Sequence, residues 1–118
     1  MEGQTMDKLI KNMEASKAIE LKSMVAYQEG QVVSRTMAQG RPLSITLFAF
    51  DNGEEISSHA SAGDAMVTIL EGTAEITIGT EKHRVQAGEA ILMPKNIHHA
   101  LLAKGRFKML LIVVFSLD

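Results

Sequence analysis

Two glycine-bounded stretches decide the reading of this chain: GEEISSHASAGDAMVTILEG at residues 53–72 and GEAILMPKNIHH at residues 88–99. In the first, Met66 to Leu70 is a nearly continuous apolar run that stops at Glu71-Gly72. Just beyond it, Ala74, Ile76 and Ile78 alternate with Thr73, Glu75 and Thr77, the period-two pattern of a half-buried strand. Gly79 to Glu81 turns the chain and His83-Arg84-Val85 returns. Gly88 opens a further short strand, Ala90 to Met93, which Pro94 closes because proline cannot donate to a sheet ladder.

Outward from these stretches the same signals repeat. Val32-Val33 and Arg35 to Met37 form a run that ends at the turn Gln39-Gly40-Arg41-Pro42. Ser44 to Phe50 is rich in β-branched and aromatic residues and stops at Asp51-Asn52-Gly53. Ile19 and Leu21 alternate with Glu20 and Lys22, which predicts a strand there too. His99 to Ala103 and Phe107 to Phe115 complete the set, split by Lys104-Gly105-Arg106. The pattern predicts about nine short strands with no helix long enough for a parallel crossover, hence an all-β antiparallel sandwich or barrel. The last strand is apolar on both faces and needs cover beyond one core. The amino-terminal segment is one source of cover and a second copy of the chain is another. Met6, Leu9, Ile10 and Met13 follow the spacing of one helical face, with Thr5 placed to cap and Asp7 in the first turn. That predicts a short helix in an N-terminal extension, residues 1–17, ahead of a single domain at 18–118.

Composition narrows the chemistry. The chain has 118 residues, within the range of one domain. It has no cysteine, which removes disulfides, thiolate nucleophiles and cysteine-ligated metal sites. Any metal would rest on imidazole, carboxylate and water, and the imidazoles are His59, His83, His98 and His99. Twelve basic and fourteen acidic residues give a net charge of −2, without the basic excess of a nucleic-acid partner. The longest apolar run, Met109 to Phe115, is far short of the roughly 20 residues that span a bilayer. The expectation is a cytoplasmic protein with no nucleic-acid or membrane partner. There is no Ser/His/Asp nucleophile set and no glycine-rich phosphate loop. The charged turn residues Glu54, Glu55, Lys82, Arg84, Lys104 and Arg106 read as solvated rims.

The two stretches also carry a spacing. From Gly53 the order is five residues, His59, one residue, Ser61, three residues, Ala65, six residues, Gly72. From Gly88 it is five residues, Pro94, one residue, Asn96, two residues, His99, three residues, Ala103. This resembles the paired motifs of the cupin superfamily, G-x5-H-x-H-x3-E-x6-G and G-x5-P-x-G-x2-H-x3-N. The resemblance implies a double-stranded β-helix, or jelly-roll barrel, with a cavity between its sheets, and commonly a homodimer. It also implies a site in which three imidazoles and one carboxylate hold a divalent transition metal such as Mn, Fe, Ni or Zn. Here His59 and His99 keep two ligand positions, while Ser61 and Ala65 occupy the other two and make that site degenerate. Asp64 is a candidate substitute ligand if Gly63 bends the strand. His83 shares strand parity with Val85 and is a candidate at the barrel mouth. His98 neighbours His99 and should face the other way. Met66 and Met93 lie beside the motifs and are candidates to line the pocket, since methionine fills irregular apolar space. Three functions remain open: binding of a small-molecule ligand in the barrel, a metal-dependent enzyme of dioxygenase or isomerase type using His59 and His99, and a structural or interaction scaffold.

Overall fold

The computed structural model describes residues 9–116. Among the described residues, nine strands build two antiparallel sheets: β1 Val32–Gln39, β2 Leu43–Phe50, β3 Glu55–His59, β4 Asp64–Glu71, β5 Thr73–Ile78, β6 Glu81–Gln86, β7 Ala90–Met93, β8 His99–Leu102 and β9 Phe107–Val114. One sheet has the order β1-β2-β9-β4-β7 and the other β3-β8-β5-β6. Sequence-distant strands β9, β2 and β4 lie side by side, the crossed connectivity of a jelly roll.

Alternation along the strands fills the space between the sheets. Phe107, Met109 and Val113 of β9, Ala65, Val67 and Ile69 of β4, and Ala74 and Ile76 of β5 are buried in one core. Phe50 and Phe107, neighbours in register, stack with ring centroids 4.3 Å apart at the end of the barrel away from His59 and His99. These stacked rings fill the barrel interior at that end.

The outer face of the five-stranded sheet carries a second core, formed by Val25, Met37, Leu47 and Ala49. Met13, Leu21, Met24 and Tyr27 of the amino-terminal segment pack on it together with Leu110. This segment supplies cover for the doubly apolar last strand. It is strapped down by the Tyr27 hydroxyl donating to Glu71 Oε2 at 2.6 Å and by Lys108 Nζ donating to the Lys22 carbonyl at 2.6 Å. Burial, and then the Glu71 acceptor, raise the Tyr27 pKa well above that of a free phenol.

Two local expectations are corrected. Residues 9–17 form bends and turns rather than a helix; Met6, with Thr5 and Asp7, lies outside the described residues. The Lys11 N–H is committed to the Met37 carbonyl on the edge of β1, and Asn12 and Ser16 adopt positive φ, which interrupts a helical path. The strand expected around Ile19–Leu21 is replaced by one 3₁₀ turn, Leu21–Met24, whose Leu21 and Met24 meet the sheet at helical spacing. The ninth strand is instead β3, whose sequence EISSH is too polar to announce itself.

Candidate functional site

The site is assembled by a β-bulge. β3 and β8 pair as Glu55 with Leu102 and Ile56 with Leu101, then slip so that His59 rather than Ser58 stands opposite His99. Leu101 and His99 face the barrel interior, and both are buried. A regular strand would give Ser58 that face and send His59 outward. The extra residue re-aims His59 inward. The two rings meet edge to face, with centroids 4.4 Å apart and an interplanar angle of 71°.

His99 is 3% exposed and is the one buried polar or charged residue among those described, whereas His59 is open to solvent. His99 Nδ1 lies 3.3 Å from the Ile97 carbonyl, and His59 Nδ1 lies 3.1 Å from the Ser57 carbonyl. A carbonyl oxygen only accepts, so each Nδ1 is the donor in these contacts, and in that tautomer Nε2 is the nitrogen left to accept. No hydrogen bond occupies either Nε2 among the described residues. Burial pushes the His99 pKa below the ordinary imidazole value, and the nearby His59 and His98 push it in the same direction.

The two motif loops are tied together. Asn96 adopts φ 65°, a left-handed conformation that asparagine tolerates, where the motif has glycine. Its N–H donates to the Ser61 carbonyl at 2.7 Å. The Ser61 hydroxyl is itself engaged, accepting from the Gly63 N–H at 3.1 Å. Ala65 is buried opposite Met93 and Val113, and Met93 forms part of the apolar floor.

The other candidates stand apart from this pair. Asp64 begins β4 opposite Val114, on the parity opposite to Ala65, and its Oδ1 accepts the Lys95 N–H at 2.9 Å. No bulge separates Asp64 from Ala65, so Gly63 does not re-aim it inward. Met66 is exposed on the outer face between Leu92 and Ile112 and does not line the interior. His83 follows the inward parity but sits on β6 opposite Ile76, about 10 Å across the sheet from β8, with Nε2 3.8 Å from Glu81. His98 faces outward toward the Ser58 hydroxyl, 3.3 Å from its Nδ1.

A divalent metal needs more donors than the pair provides. Among the described residues, no three His, Asp or Glu side chains converge on one point. Ser61 and Ala65 add no charge, so the residues present do not fit a tight metal centre. What the pair offers is two adjacent Nε2 acceptors over an apolar floor. Register adds a polar wall: Ser44 lies opposite the inward Val113, and Thr46 and Thr36 continue that parity along β2 and β1. The strict alternation of Ser44 and Thr46 with Ile45 and Leu47 is the sequence signal that would have found it.

The family model described as “Cupin domain” matches residues 46–115. A crystal structure of a conserved protein of unknown function from Streptococcus pyogenes is 46% identical, covers 97% of this chain and 100% of its own, and superposes with a TM-score of 0.93. A cupin superfamily protein from Desulfitobacterium hafniense is 34% identical over 91% of this chain and 98% of its own, with a TM-score of 0.87. An uncharacterized protein from Streptomyces coelicolor is 29% identical over 87 residues, which is 74% of this chain and 81% of that protein. Among the described residues no helix is long and apolar enough to cross a membrane. With both motifs placed on a two-sheet jelly roll, the chain belongs to the cupin family.

Proposed function

We propose that this cupin is a cytoplasmic small-molecule binder that holds a compact polar ligand at the barrel mouth through His59 and His99. The observation that carries the reading is the pair of facing imidazoles with unengaged Nε2 atoms above an apolar floor. Two such acceptors suit a molecule that presents hydroxyl or amine donors, and the wall of Ser44 and Thr46 suits further hydroxyls. The metal-dependent enzyme lacks a third donor for its metal. The pure scaffold leaves a buried, desolvated histidine without a purpose. The reading is tested by screening small polyols, amino sugars and amino alcohols against the ¹⁵N-labelled full chain. Hits should shift the His59 and His99 ring resonances and be lost in His59→Ala and His99→Ala. A screen whose hits leave both rings unmoved would sink it.

We also infer that a second copy covers the open half of the outer sheet face. Met66, Leu92, Ile112 and Val114 adjoin one another there, and Leu92 is 55% exposed. Leu9 and Ile10 are also exposed, with Leu9 87% exposed. Residues 11–12 are held at the β1 edge, across the sheet from β7 by about 19 Å, so the arm and the patch are separated within one chain. A two-fold pair lets each arm approach its partner's patch.

A further inference from the structure

The rim residues converge at the end of the barrel away from the histidines. The β4–β5 turn, β6 and the β8–β9 loop enclose a groove of about 540 Å³, lined by Gly72, Thr73, Glu75, Arg84, Lys104 and Arg106. It lies beyond the Leu102 end of β8, whereas His99 stands at the opposite end of that strand. Three of its charged side chains are cations and one is a carboxylate, in a chain whose net charge is −2.

We propose that this groove binds a compact multivalent oxyanion, a phosphate ester or a small di- or tricarboxylate. Arg106 is prepared for it. Its Nε donates to Asp51 Oδ1 at 2.8 Å and its guanidinium lies over the Tyr27 ring at 5.0 Å. Asp51 is fixed in turn by the N–H groups of Gly30 and Asn52. The two terminal nitrogens of Arg106 make no hydrogen bond or ion pair among the described residues, so a guanidinium anchored at Nε and stacked on Tyr27 keeps those donors unpaired. Lys104 Nζ is positioned 2.9 Å from Glu75 Oε2, and Glu75 also faces Lys82 at 4.0 Å. Arg84 stands opposite Glu75 in the β5–β6 ladder, yet that carboxylate is engaged by the lysines. Arg84 has no ion pair or hydrogen bond among the described residues and is the uncompensated cation of the groove. Asp51, and at longer range Glu29, bear on Arg106 but do not line the groove.

Preset side chains lower the ordering cost of binding, and cations gathered in a concave site concentrate anions there. Gly72 keeps the turn against the loop: its φ is 78°, and an added Cβ would collide with the Arg106 carbonyl. One wall of the groove is therefore a close backbone contact between the β4–β5 turn and the β8–β9 loop.

The test is titration of the ¹⁵N-labelled full chain with inorganic phosphate and with citrate at constant ionic strength, with sodium chloride as control. The expected result is saturable shifts of the Gly72 and Gly105 amides and the arginine Nε–H groups by at least one oxyanion. Saturation by phosphate alone assigns a phosphate ester, and saturation by citrate alone assigns a carboxylate ligand. Arg84→Gln should weaken binding about tenfold and leave the fold intact, because Arg84 makes no hydrogen bond or ion pair among the described residues. Arg106→Lys keeps the charge but loses the fork and should also weaken it. His59→Ala should leave it unchanged, which separates this site from the barrel mouth. Shifts that match chloride, or binding equal to wild type in both arginine variants, overturn the proposal.

Discussion

The imidazoles of His59 and His99 face each other edge to face at 4.4 Å, one open to solvent and one buried, because a single extra residue in β3 turns His59 inward. Burial first, and then the nearby His59, make His99 reluctant to take a proton.

That reluctance sets a pH dependence. The folded-state pKa of His99 lies below its ordinary value of 6.5, so the unfolded chain binds the proton first. Stability is full above about pH 6.5 and declines as pH falls through the window below it, down to the folded pKa. Urea unfolding followed from pH 8 to pH 5 should show this decline in wild type. His99→Gln should flatten it.

A second decline belongs to Asp51. The Arg106 guanidinium, with the Gly30 and Asn52 N–H groups, holds its carboxyl down to about 2 from 3.8. This contribution is complete above about pH 4 and is lost as pH falls toward 2. Asp51→Asn should remove that acid step from a thermal-melt series and leave the His99-linked decline below pH 6.5 in place.

Metal affinity follows from the two missing ligands. Wild type should retain no stoichiometric Zn, Ni, Fe or Mn after dialysis. Ser61→His with Ala65→Glu should bind Zn or Ni stoichiometrically, and calorimetry would check it. Ala65 is buried, so the added carboxylate should cost about 1–3 kcal/mol of apo stability, which metal restores. Tight metal in wild type would contradict the account of the site.

Gly72→Ala should destabilise the chain by about 1–3 kcal/mol from its positive φ alone, with the Arg106 carbonyl clash adding to that. Gly53→Ala, whose φ is also positive but whose Cβ would meet nothing, should cost less. The difference between their denaturant midpoints measures the clash.

Light scattering should find a dimer for the full chain. Leu92→Lys, on an exposed position that needs no repacking, should shift it toward monomer with little change in intrinsic fold. A monomeric wild type at every concentration would remove the second-copy proposal.

Eight of the nine strands were legible in the sequence, because a period of two over Ser44–Phe50 or Thr73–Ile78 has one physical meaning beside Gly-bearing turns. Apolar periodicity misled at Leu9, Ile10 and Met13, where the edge of β1 takes the Lys11 N–H that a helix would have used. β3 went unseen because an edge strand with mostly exposed side chains has no pattern to impose.

By itself, then, the sequence determined the all-β barrel, the family and the pair of surviving ligand positions, since alternation and fixed spacing are properties of the chain. It could not determine that His59 faces inward through a bulge, since register is a relation between two strands. Nor could it separate Met66 from Met93, which differ only in the face their strands turn to the core. Arg84, Lys104 and Arg106 read as independent rim charges until the tertiary structure joined three separate elements around one groove.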